Sequence, residues 1–234
     1  MRYKTAIWGG IALVATVFST VGFGDVQPSA KSQTNWNRSV FPLGRLTSLA
    51  AGTKLNIRFV GKDTTGASYV GSFQSKVAGV TTYEGRGVIQ KDSKLEIVKA
   101  GKGVVLARSQ RSYYNSNATL FKEVHSDGAV AVPANVFQLP ASVPSGRFPG
   151  QALSYSNGIN LTQVWKVIDA GKGSAKIDVK SSTGADRSEV DTYSIATDGS
   201  IVSVKKELYN FPSKGVTTTL NGMANLDFEI KPYM

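Results

Sequence analysis

The 234-residue chain carries 27 lysines and arginines against 16 acids, a formal charge of +11, with one histidine and no cysteine. The absence of thiols excludes disulfide staples, thiol catalysis and thiolate metal sites together. The charge favours anionic partners such as nucleic acid, lipid headgroups or acidic polysaccharides.

In chain order, Arg2 and Lys4 precede an uncharged run over residues 5–24. A basic start, an apolar stretch and small residues at Gly22 and Gly24 predict a secretory signal peptide over 1–24, cut before Asp25. The alternative is an uncleaved membrane anchor, since about 20 apolar residues suffice to span a bilayer. No cysteine follows, so a lipoprotein anchor is excluded. Either way the rest of the chain is expected to be exported, to the periplasm, the cell envelope or the extracellular space. That removes intracellular nucleic acid from the partners and confines membrane contact to an uncleaved 1–24.

Residues 25–40 are polar and read as a flexible lead-in. A first β half is expected over 41–132. It begins with a short helix over 43–51 that Gly52 stops. Leu55, Ile57 and Phe59 then alternate with Asn56 and Arg58 as a strand. Further strands are expected over 69–76, 87–90, 95–99, 104–111 and 119–124. Turn-formers separate them: Thr64-Thr65-Gly66, Gly85 and Gly87, Asp92-Ser93, Gly101-Lys102-Gly103 and Asn115-Ser116-Asn117. Residues 133–150 hold Pro133, Pro140, Pro144 and Pro149, half of the eight prolines, and read as a Pro/Gly-rich connection.

A second β half spans 151–234, with strands over 161–168, 175–180, 216–220 and 226–231. Its clearest feature is a hairpin over 189–209 closed by Asp198-Gly199. A two-residue loop there sets Tyr193 opposite Val204, Asp191 opposite Lys206 and Ile195 opposite Val202. It places Tyr193, Ile195, Val202 and Val204 on the buried face. Phe41-Pro42 before Leu46 is echoed by Phe148-Pro149 before Leu153, which suggests two similar halves. The fold expected is all-β, an antiparallel sandwich or partly open barrel, after the N-terminal signal helix.

The residues that could carry chemistry are few. A serine-histidine-acid triad would need His125, but His125-Ser126-Asp127-Gly128 reads as a turn. The acids are dispersed, many in turns, and no pair is marked for glycoside hydrolysis. No run resembles a calcium loop, and no metal or cofactor is expected. Gly101-Lys102-Gly103 and Gly171-Lys172-Gly173 lack the serine or threonine and the helix of a phosphate loop. Asparagines 37, 117 and 160 fit the glycosylation sequon, which has meaning only in a eukaryotic secretory pathway. No catalytic residue is assigned.

The most concentrated signal is basic. Arg86, Lys91, Lys94, Lys99, Lys102, Arg108 and Arg111 run into Tyr113 and Tyr114, a mixture suited to an anionic ligand. Solvated lysines that guard strand edges are the simpler account of the same residues. The function expected is a non-enzymatic, exported envelope or extracellular binding protein for an anionic glycan or surface polymer. The alternatives are a carrier of a lipid or other apolar ligand inside a curved sheet, and a hydrolase.

Overall fold

The computed structural model describes residues 40–183 and 187–225. Ahead of the barrel come β1 (Val40–Pro42) and a single turn of helix, α1 (Gly44–Thr47). The next six strands are β2 (Lys54–Asp63), β3 (Ser68–Tyr83), β4 (Arg86–Lys99), β5 (Gly103–Tyr114), β6 (Leu120–His125) and β7 (Val130–Pro133). They are followed by β8 (Ser142–Pro144), β9 (Gly146–Tyr155), β10 (Asn160–Gly171) and β11 (Ser174–Thr183). The last are β12 (Arg187–Ile195), β13 (Ile201–Tyr209) and β14 (Thr217–Asn225). Twelve of these strands close into one antiparallel barrel, β2 through β7 and then β9 through β14, sealed where β14 pairs with β2. Strands from both sides of 133–150 therefore belong to the same ring.

Alternation sets the two faces. In β2, Leu55, Ile57 and Phe59 are buried, while Lys54 and Arg58 face solvent. The same phase carries inward Tyr69 and Phe73 of β3, Leu95 and Ile97 of β4, and Ile177, Tyr193, Val204 and Leu220 across the other side. Apolar-inside and polar-outside is the inverse of a lipid-facing barrel, which needs an outward apolar band. The barrel is also flattened. Arg108 of β5 reaches Glu189 of β12 at 3.4 Å, although these strands lie six places apart around a ring of twelve. At this level side chains fill the lumen.

β1 pairs with β8 as a separate two-stranded piece, and Phe41, Leu43 and Leu46 beside it are buried in the core. Here the turn between β12 and β13 meets α1. A Cβ on Gly44 would lie 2.5 Å from the Gly199 carbonyl oxygen, and both glycines have positive φ, +43° and +79°. Only glycine at both positions allows this backbone contact.

Several expectations need correction. The helix over 43–51 is one turn long. Residues 87–90 and 95–99 form a single strand, because Asp92 does not turn the chain. Its carboxylate accepts from Arg111 Nε at 2.7 Å and from Gln90 Nε2 at 2.8 Å, so the side chain is satisfied within the ladder. The 133–150 connection contains β8 and the start of β9. Its prolines are accommodated where pairing is short or interrupted: Pro144 ends β8, and Pro149 adjoins an irregularity opposite Thr162 and Val164.

The 189–209 hairpin keeps Tyr193 opposite Val204 and Asp191 opposite Lys206, but Ile195 pairs with Ile201. Gly199 N–H donates to the Ala196 carbonyl at 3.0 Å, so Thr197 and Asp198 are the central turn residues and Gly199 forms the bulge. This form demands positive φ of Gly199 alone, whereas the expected two-residue turn demands it of Asp198 too. As a result Ile201 is buried and Val202 is 51% exposed. The Phe-Pro echo is not a structural repeat: Phe41-Pro42 lies in β1 before a helical turn, Phe148-Pro149 within β9. The signal segment and the strand over 226–231 fall outside the described residues.

Candidate functional site

The outward faces of β14, β2, β3, β4 and β5 form a hollow rather than a bulge, an open groove of about 2260 Å³ that reaches β13 on one side and β6 on the other. Strand pairing arranges its floor in rows. Val60, Val70 and Val98 lie in register across β2, β3 and β4 as an apolar row. The next row is Met223, Arg58, Ser72 and Glu96. Then come Asn56, Gln74, Lys94 and Ser109. Beyond these lie Lys54, Lys76, Asp92 and Arg111. Adjacent rows on one face are about 7 Å apart, two strand residues.

The groove floor thus holds five cations and two carboxylates. Lys94 pairs with Glu96 at 3.2 Å and Arg111 with Asp92 at 2.7 Å. The Asp92 carboxylate raises the Arg111 guanidinium further above its ordinary range. At one end the floor meets Tyr113. The ring of Tyr83 stacks on it at 3.9 Å between centroids, so the β3–β4 turn folds back over the groove's end. Lys122 lies 5.3 Å over the Tyr83 ring and also pairs with Glu84, which raises its ammonium.

Of the nine residues expected to bind ligand, Lys94, Arg111 and Tyr113 line this groove. Lys91 and Tyr114 point into the barrel and are buried, and the Arg108 side chain, 9% exposed, points in beside them. Lys91 has its ammonium lowered to about 8 by burial alone. Burial also raises the Tyr114 hydroxyl and lowers Arg108, with Glu189 opposing. Arg86 sits at the β3–β4 turn with its guanidinium 5.1 Å over Phe121, and Lys102 is in the tight turn before β5. Lys99 closes the β2–β3 end, 3.3 Å from Asp63 and 5.2 Å over the Tyr69 ring. The structure does not gather the basic run; it deals alternate members to opposite faces. Sequence reasoning missed Lys54, Arg58 and Lys76, which come from strands outside the run. Their signal was the outward phase of β2, but nothing local says that β2 and β3 lie beside β4 and β5.

Two further clusters lie inside. Lys206 Nζ is 2.6 Å from Asp191 and 3.5 Å from Glu189, which also meets Arg108. Burial raises the Asp191 carboxyl, with the Lys206 ammonium pulling it back. Glu123 is met by His125 Nε2 at 2.7 Å and accepts from Gln110 Nε2 at 2.9 Å, Ser112 Oγ at 3.1 Å and the Tyr155 hydroxyl at 3.2 Å. A carboxylate held by four partners is a fixed structural acceptor. An imidazole beside it could orient a base, but among the described residues no hydrogen bond joins His125 to a serine hydroxyl. No metal-holding group of histidines and acids occurs among the described residues. Comparison with protein-family models, with curated proteins and with solved structures finds no match to this chain.

Proposed function

We propose that this chain is an exported, non-enzymatic binding protein of the periplasm, cell envelope or extracellular space, which holds an anionic glycan or surface polymer in its outer groove. The observation that carries this reading is the groove's floor: five cations against two carboxylates, interleaved with Asn56, Gln74, Ser72 and Ser109. Cations recognise acidic substituents, and amides and hydroxyls exchange hydrogen bonds with sugar hydroxyls. An open trough across several strands suits successive units of a polymer meeting successive rows. The carrier alternative draws less support, because Arg108 crosses the lumen to Glu189. Among the described residues the hydrolase alternative rests on the His125–Glu123 contact, whose acid already accepts from Gln110, Ser112 and Tyr155.

The test is isothermal titration of the chain with polygalacturonate, chondroitin sulfate and neutral dextran across a range of salt. Both anionic polymers are expected to bind, more weakly as salt rises, and dextran is expected not to. Arg58→Gln should weaken binding by roughly fivefold, the scale of about 1 kcal/mol for an exposed charge contact, and Arg111→Gln, whose guanidinium Asp92 already holds, by less. Equal binding of dextran, or no binding of either anionic polymer, refutes the reading.

A further inference from the structure

The floor of the groove contains one arrangement that a sheet does not keep for stability. Lys54 of β2 and Lys76 of β3 are direct cross-strand partners, and both are exposed on the groove side. Like charges directly opposite destabilise an antiparallel pair, with Cβ atoms about 5 Å apart. The nearest carboxylate in their row is Asp92, opposite Lys76. Each of its oxygens already accepts a hydrogen bond, Oδ1 from Arg111 and Oδ2 from Gln90. Neither ammonium group makes an ion pair or hydrogen bond among the described residues. The adjacent row places Asn56 opposite Gln74, and these amides too have no hydrogen-bond partner among the described residues. Two unneutralised ammonium groups and two unengaged amides therefore form one polar square on the groove floor.

We infer that Lys54 and Lys76 form an oxyanion seat, in which one carboxylate, sulfate or phosphate substituent of a glycan lies between the two ammonium groups while Asn56 and Gln74 hydrogen-bond the hydroxyls of the sugar that bears it. This rests on the reading of the groove as a glycan site and names where its charge is read. An anion between the lysines removes their mutual repulsion, so binding and stability are linked at this point. Arg111 and Lys94, each already holding a carboxylate, contribute less.

The test combines per-lysine and polymer measurements. In protein whose lysines carry ¹³C-dimethyl labels, which keep their charge, sodium galacturonate, sulfate and inorganic phosphate are titrated separately. The Lys54 and Lys76 resonances are expected to shift saturably and further than those of Lys62 and Lys102, which are exposed outside the groove. The most effective of the three anions identifies the substituent. The double variant Lys54→Gln/Lys76→Gln is expected to melt at or above the parent's temperature without anion, to lose the anion-dependent rise, and to bind polygalacturonate at least tenfold more weakly. If the double variant binds polygalacturonate as tightly as the parent, the seat is overturned while the polymer reading stands. If no polymer binds but a small oxyanion still saturates both lysines selectively, the seat stands and the polymer reading falls. If no anion moves these two lysines beyond Lys62 and Lys102, the seat is overturned.

Discussion

Lys91 offers the sharpest test of the inward face of β4. It is 4% exposed, opposite Val77 on one neighbouring strand and Ser112 on the other. Burial alone lowers its ammonium from 10.5 to about 8. Below pH 8 the folded chain holds a charge that the unfolded chain holds more easily. Two and a half pH units at 1.36 kcal/mol each correspond to a penalty of about 3 kcal/mol. The sign follows from proton uptake. Between pH 8 and 10.5 the unfolded state binds more protons at this site, so stability rises with pH across that window and is flat below it. Lys91→Met keeps the length of the side chain and removes the charge. At pH 7 it should stabilise the fold by about 1–3 kcal/mol, a rise in Tm of roughly 2–10 °C for a chain of this size. The gain over the parent should fade as pH approaches 10.5. Urea unfolding of parent and variant at pH 7 and pH 10 measures the difference and cancels the other titrations. A variant less stable than the parent at pH 7, or a gain equally large at both pH values, would show that Lys91 is not a charge held in the core.

Lys206→Met leaves Asp191 without its buried cation and Glu189 with Arg108 alone; it should destabilise by about 3–5 kcal/mol, and adding Asp191→Leu should restore much of the loss, as denaturant midpoints of the three proteins would show. Gly61→Ala at the β14–β2 seam would set a Cβ 1.9 Å from the Thr219 carbonyl oxygen, so the strands must part and Tm should drop steeply, which calorimetry would register. Asp63 is held well below the usual carboxylate range, first by the Thr65 hydroxyl and also by Tyr69 and two backbone N–H groups. Its contribution is complete above about pH 4 and is lost as pH falls further, so Asp63→Asn should lower Tm at pH 7 and converge with the parent in acid. Intact-mass analysis of protein recovered from its own host should give an N-terminus near Asp25; retention of residue 1 would favour the anchor.

The buried charges and the outer groove are linked by one geometric fact. A strand shows alternate residues to opposite faces, so the basic run over 86–111 cannot act as one patch. Lys91 and Arg108 are drawn inward, where Lys91 has no counter-charge among the described residues and Arg108 crosses to Glu189. Lys94 and Arg111 go outward, where they meet Lys54, Arg58 and Lys76 from neighbouring strands. The glycan reading therefore rests on cations contributed by four strands rather than on the density of charge along one.

What the sequence determined by itself was local. The alternation of Leu55, Ile57 and Phe59 with Asn56 and Arg58, and the turn glycines between such runs, specify strands and their inward faces through period two. Asp198-Gly199 specifies a hairpin, and with it the Asp191–Lys206 pair. Tertiary structure decided the rest. A hydrogen bond from Gly199 to Ala196 changed the pairing next to the turn alone, setting Ile195 opposite Ile201 and exchanging Ile201 for Val202 in the core, because a turn that needs one positive φ is favoured over one that needs two. Asp92 stayed in a strand because Arg111, 19 residues away, satisfied its carboxylate. The closing of β14 on β2, and the flattening that hollows the outer face, depend on which strands become neighbours. That is set by the burial of the whole chain, and no window of residues contains it.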